Sequence, residues 1–192
     1  MPELQDNFTG TLFKYLQNGN NHLRVAVCKC IVQILAHQYD PEKRAALARQ
    51  VNEELGESRA FQIRRTFVIM CRTSAGILTK DYFLETFYDN LIAMADDRVA
   101  QVRIEFAKAL LDLKPFLESE QQKDFELMER IDRLKNDPDQ DVADATENTD
   151  VVLLQERKTL SPKFVALEIS NQERERLLSD RWMKEEEERK RR

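Results

Sequence analysis

The stretch Asp97–Leu113 reads DRVAQVRIEFAKALLDL. A turn-forming acid opens it, the pair Val102-Arg103 follows, and Phe106, Ala107, Leu110 and Leu113 continue at three- and four-residue steps. That spacing lays one apolar stripe along one face of a helix. The pattern recurs. Thirty-nine residues earlier stand Ile63-Arg64, Phe67, Val68, Cys71 and Ser74; forty earlier again stand Leu23-Arg24, Val27, Cys28, Ile31 and Ile34. Forty residues later Asp137-Pro138-Asp139-Gln140-Asp141-Val142 repeats the turn. There Ala143 replaces the arginine, and Thr146, Glu147 and Asp150 replace the apolar stripe. A period near 40 with two helical patterns in each period predicts stacked helix pairs.

The helices that precede these stripes keep the same register. Phe8, Leu47, Phe87 and Leu127 correspond, as do Leu12, Val51, Leu91 and Ile131. Four units follow, at about 1–39, 40–78, 79–117 and 118–143. Asn18-Gly19-Asn20-Asn21 and Gly56-Glu57-Ser58 supply turns inside units. Asp40-Pro41 opens the second unit as an N-cap with proline in the first helical position, and Ser119-Glu120-Gln121-Gln122 reads as a capping box for the fourth. The expected fold is all-α, a right-handed superhelical stack of about four helix pairs. Residues 144–170 mix acids, Ser-Pro and short apolar runs at 151–154 and 164–167, so 144–192 reads as an irregular tail. Its end, 171–192, is a charged helix in which Glu185 to Glu188 pair with Arg189 to Arg192. Such pairs each add roughly 0.2–0.5 kcal/mol to a helix.

Composition supports helices. Charged residues are 34% of the 192, with four glycines and five prolines, too few for a turn-rich sheet protein. A net charge of −5 argues against a general nucleic-acid binder. No apolar run reaches the roughly 18 residues of a membrane span, and the start lacks a signal-peptide pattern. Three cysteines, Cys28, Cys30 and Cys71, sit inside helical patterns and read as reduced thiols of a protein working in the cytosol or nucleus.

No residue set for chemistry stands out. His22 and His37 lie fifteen residues apart at the two ends of one helical pattern, and Cys28 and Cys30 point to nearly opposite faces of it. There is no CxxC pair, Gly-rich phosphate loop or Ser-His-Asp order. No catalytic residue, metal ligand or cofactor is expected. Arg24, Arg64 and Arg103 form a row that could track an anion. Each follows a polar turn residue by six, which favours a structural role. The lone Trp182, with Leu177 and Leu178, fits either a partner groove or the last unit. Ser161-Pro162 is a weak phosphorylation signal.

The turn acid, the Val-Arg pair and the repeat length resemble HEAT repeats over residues 1–143, the motif here being Asp97-x4-Val102-Arg103. In that family the acid and the arginine six residues on form a hydrogen-bonded ladder between repeats. The resemblance implies ladder positions at Asn18 with Arg24, Ser58 with Arg64, and Asp97 with Arg103. It leaves Asp137 without an arginine and ends the ladder at the fourth unit. DRVAQVRIEFAKALLDLKPFL is similar to units of the regulatory and scaffold subunits of phosphatase 2A-like enzymes. NDPDQDV resembles a turn of the regulatory subunit 4 type of protein phosphatase 4. Such subunits have more repeats, which implies a C-terminal portion or short form whose first helix lacks its neighbour.

The turns within helix pairs line up along one edge of such a stack. Here they carry Asn20, Asn21 and His22, then Arg59 and Phe61, then Arg98, then Asp139 and Gln140. Phe61 beside Arg59 has the composition of an interface hot spot, or else tucks onto the neighbouring first helix. By the resemblance, this edge holds a serine/threonine phosphatase catalytic subunit, with no nucleic acid or membrane partner. The competing reading is an adaptor in another assembly, such as nuclear transport, membrane trafficking or chromosome organisation.

Overall fold

The structure, a computed structural model, describes residues 2–117, 121–147 and 162–191. These form helices and turns without a strand. The first helix pair is α1 (Pro2–Asn18) and α2 (Asn21–His37). The second is α3 (Pro41–Val51), continued by one π-helical turn at Asn52–Gly56, and α4 (Phe61–Ser74). The third is α5 (Lys80–Thr86) with α6 (Tyr88–Ala93), then α7 (Ala100–Leu117). The fourth is α8 (Gln121–Lys135) and the short α9 (Gln140–Thr146). A last helix, α10, spans Pro162–Arg191. The Ser119-Glu120 cap, the run at 151–154 and Ser161 lie outside the described residues.

The repeated stripe explains how the pairs stack. Val27, Phe67 and Phe106 are buried, and so are Cys28, Val68 and Ala107, then Ile31, Cys71 and Leu110. In the fourth unit the stripe is polar, yet Thr146 is also buried, its hydroxyl donating to the Val142 carbonyl at 2.7 Å. The second helices therefore form a row in which α4 packs between α2 and α7, and α7 between α4 and α9. The first helix of the third unit breaks at Phe87 (φ −121°, ψ −14°). The break seats Phe87 in the core, with ring centroids 6.3 Å from Phe67 and 6.2 Å from Phe83.

Caps fix the helix starts. Asn20 accepts the Leu23 amide at 2.9 Å, Asp40 the Glu42 amide at 3.0 Å, and Asp139 the Asp141 amide at 3.1 Å. Each satisfies an amide that has no intrahelical acceptor. Gly76, at φ +80°, takes the left-handed conformation that ends α4.

The tail departs from the sequence expectation. Residues 162–170, read as irregular, are helical, and α10 packs back on the stack. The Asn171 amide group donates to the Leu78 carbonyl at 3.3 Å. Arg174 donates to the Ala36 carbonyl at 3.1 Å and to the Ile77 carbonyl. Glu175 pairs with Arg44 at 2.6 Å and accepts the Thr79 hydroxyl at 2.9 Å. Phe164 meets Phe116 edge-on at 5.9 Å between centroids, and Trp182 lies 6.3 Å from Tyr39. Of the two options for Trp182, the structure has it packing back, although against Tyr39 after α2 and not on the last unit. These contacts cluster where α2 and α4 end. At about 1.5 Å per residue, the 17-residue α2 separates this edge from the within-pair turns by about 25 Å.

Candidate protein-interaction surface

The within-pair turns are built around arginines, and the connectivity differs from the expected one. Arg64 donates from Nε and Nη2 to the two carboxylate oxygens of Asp97, at 2.5 and 2.8 Å. Its Nη1 reaches back to the carbonyls of Ser58 and Arg59, at 2.7 and 3.1 Å. Arg103 repeats the arrangement with Asp137, at 2.7 Å on both bonds, and donates to the Asp97 carbonyl at 2.7 Å. Each guanidinium thus reaches forward to the acid of the next unit and touches only the backbone of its own turn. Asp137 is therefore not unpaired: it accepts the last rung. Ala143 means only that no further rung leaves the fourth unit. Arg24 makes no rung. The next turn offers Ser58 in place of an acid, and Arg24 donates to the Leu16 and Gln17 carbonyls at 2.8 and 3.1 Å.

Both acids also shape their turns. Asp97 accepts the Val99 amide and Asp137 the Asp139 amide, each at 2.9 Å. Burial pushes both carboxyls up. Hydrogen bonds from the arginine and the backbone amide, with the arginine charge, more than offset this and hold both below the usual carboxylate range. Forked, charge-assisted bonds of this kind fix geometry as well as adding energy.

The expected partner-facing residues fall into three groups. Asn21, His22, Arg59, Arg98 and Gln140 are exposed along the turn edge. Asn20 is exposed but its side chain is spent as the α2 cap, and Asp139 likewise caps α9. Phe61 is half-buried against the core, so the tucked alternative describes it better than a free anchor.

A groove of about 480 Å³ runs across the outer face of α2, α4 and α7. Asn21, His22 and Val25 line one side, Arg65, Ile69 and Arg72 the middle, and Glu105 and Asp112 the other side. Arg65 pairs with Glu105 at 3.0 Å, and Arg72 bridges Glu105 at 3.1 Å and Asp112 at 2.6 Å. Sequence reasoning found the Asn21-His22 end of this groove and missed the rest. The signal was present: Arg65 and Arg72 each have an acid 40 residues on, Glu105 and Asp112.

Burial pushes the Cys28 thiol up to about 12 and holds the Cys71 thiol well above its ordinary value, which leaves both as inert thiols. Cys30 is exposed. His22 and His37 stand at opposite ends of α2. Among the described residues no group of three or more His, Cys, Asp or Glu is placed to hold a metal ion, and no helix is long and apolar enough to cross a membrane. In comparisons with known proteins, no protein-family model, no curated protein and no solved structure matches this chain.

Proposed function

We propose that this chain is a HEAT-type helical-repeat scaffold that holds a protein partner along its within-pair turns and carries out no chemistry of its own. The observation that carries the proposal is the pair of forked rungs, Arg64 to Asp97 and Arg103 to Asp137, in the same register on successive units. Repeating units locked at fixed spacing give an extended, stiff edge, the kind of surface such stacks use for binding. Arg59 and Arg98 project from that edge, and Asn21 and His22 join it to the groove over α2, α4 and α7.

For the partner, we favour the catalytic subunit of a phosphatase 2A-like serine/threonine phosphatase, whose activity the chain would direct. The likeness of residues 97–117 and 136–142 to such regulatory subunits supports this choice. The expected compartment is the cytosol or nucleus, where reduced Cys28, Cys30 and Cys71 are stable. Affinity purification of the intact chain from cytosol should recover a phosphatase catalytic subunit. Changing Arg59, Phe61 and Arg98 together should abolish that recovery. Recovery of transport or coat proteins instead would move the scaffold to another assembly, and no change on substitution would place the partner elsewhere on the surface.

A further inference from the structure

The junctions between helix pairs are not held alike. Between the second and third pairs the Arg64–Asp97 rung closes the turn edge, and Arg65–Glu105, Arg72–Glu105 and Arg72–Asp112 tie α4 to α7. Between the third and fourth, Arg103 forks onto Asp137. Between the first and second the described residues make no forked rung. Ser58 stands where the acid would be, and Arg24 is spent on the Leu16 and Gln17 carbonyls. There α2 packs on α4 through the apolar core, with polar contacts such as the Gln17 amide group to Glu54 at 3.3 Å and the Cys28 thiol to the Thr66 carbonyl at 3.8 Å. Apolar burial is non-directional, so it opposes separation of the two pairs more than rotation.

The element that crosses this junction is α10. On the edge opposite the within-pair turns it runs over three pairs in reverse order. Phe164 meets Phe116 of α7, and Glu168 accepts the Lys80 amide at the start of α5 at 3.0 Å. Asn171 and Arg174 donate to the Leu78 and Ile77 carbonyls, between the second pair and the third. Arg174 also donates to the Ala36 carbonyl in the last turn of α2 at 3.1 Å, where the negative end of the helix favours a cation. Tyr39 follows α2 and lies against Trp182, with the Arg181 guanidinium 4.3 Å from its ring centroid. One guanidinium, that of Arg174, thus joins the end of the first pair to the end of the second. The docking is nevertheless shallow: Asn171 is the one buried residue of α10. A helix held by hydrogen bonds with little apolar burial separates at low net cost, because water replaces those bonds.

We propose that α10 is a reversible latch on the junction between the first and second helix pairs. Docked, it fixes their angle. Released, it frees that one junction to rotate, while the rungs and ion pairs keep the later junctions fixed. The consequence falls on the groove over α2, α4 and α7. Asn21, His22 and Val25 belong to the first pair and line the groove with Arg65, Ile69 and Arg72 of the second, so the angle sets the width of the groove. From the opposite edge, α10 thereby controls the shape of the surface that holds a partner. That consequence rests on the partner-holding role; the latch does not, and its test contains no partner.

Electron–electron distance measurements between spin labels on the intact chain test this. Cys30 and Gln62→Cys report the first junction, from α2 to α4. Gln62→Cys and Leu111→Cys, with Cys30→Ser, report the second, from α4 to α7. All three positions are exposed, and the buried Cys28 and Cys71 stay unlabelled. The release variant combines Asn171→Ala, Arg174→Ala and Trp182→Ala. Arg176→Ala is the control, since Arg176 bonds only within α10, to Glu173 and Asp180. Hydrogen exchange on the same samples reports whether residues 162–191 have left the stack. The release variant should speed exchange in α10 and shift and broaden the first distance, with the second distance unchanged. Arg176→Ala should leave both distances as they were. A first distance that stays narrow after α10 has left overturns the proposal, as does equal broadening of both distances. An α10 that stays docked in the release variant overturns it too, because its hold would not then depend on these bonds.

Discussion

Replacing Arg64 with leucine removes the first of the two rungs of the ladder and tests how the stack is held. The Arg64 and Asp97 side chains are 10% and 6% exposed, so solvent screens the pair poorly. The leucine variant deprives Asp97 of two hydrogen bonds and leaves it the Val99 amide alone; the Ser58 and Arg59 carbonyls lose their donor as well. Removing one partner of a buried pair costs about 3–5 kcal/mol, because the remaining charge stays buried without compensation. Asp97→Ala should cost somewhat less, about 2–3 kcal/mol, since Arg64 keeps its two carbonyl acceptors. The double variant should cost clearly less than the sum, with a coupling of about 2 kcal/mol. Arg24→Leu is the internal contrast: it loses only two carbonyl contacts and should cost about 1 kcal/mol. Urea unfolding followed by circular dichroism measures all four. Additivity of Arg64→Leu and Asp97→Ala within about 0.5 kcal/mol would refute the forward-reaching rung, as would equal losses from Arg24→Leu and Arg64→Leu.

Three further outcomes follow from local chemistry. The carboxyls of Asp97 and Asp137 titrate near pH 4 when unfolded and lower when folded, so their stabilisation is complete above about pH 5 and lost as pH falls through the depressed values; Asp97→Ala with Asp137→Ala should flatten the acid limb of a stability profile. Glu168 behaves oppositely: burial, aided by Asp81 and Glu175, raises its carboxyl although the Lys80 amide opposes this, so its contribution to α10 docking is full at acid pH and lost as pH rises through the folded value. Glu168→Gln should therefore tighten docking at pH 7 and change little near pH 4, read from the emission of Trp182, the one tryptophan. Iodoacetamide at pH 8 should modify Cys30 alone in the native protein and all three cysteines in urea, measured as added mass; prompt native labelling of Cys28 would contradict its burial.

The stacking of helix pairs was legible because its cause is hydrophobic periodicity. A period near 40, kept in both helices, marked Phe67, Phe106, Leu91 and Ile131 as interior, and all are buried. The rungs were legible as residues but not as pairs. Sequence spacing links an arginine to the acid six residues before it, whereas the side chain extends across the stack to the next turn. The α10 contact escaped for another reason. Its inward positions Phe164, Asn171, Leu178 and Trp182 mix apolar and polar residues, and several of its bonds run from Asn171 and Arg174 to the carbonyls of Ala36, Ile77 and Leu78. Apolar periodicity does not register a helix held by hydrogen bonds to backbone ends. The groove was partly hidden for the same reason, since its walls are ion pairs between α4 and α7.

The central proposal is that the turn edge holds the catalytic subunit of a phosphatase 2A-like enzyme. Calorimetric titration of a purified phosphatase 2A-like catalytic subunit with the intact chain tests it most directly. Saturable one-to-one binding, weakened at least roughly tenfold by Arg59→Glu with Arg98→Glu while the thermal midpoint is unchanged, is the expected result, since rim charges at a contact set specificity and association. No heat of binding, or an affinity that the two substitutions leave untouched, would contradict it.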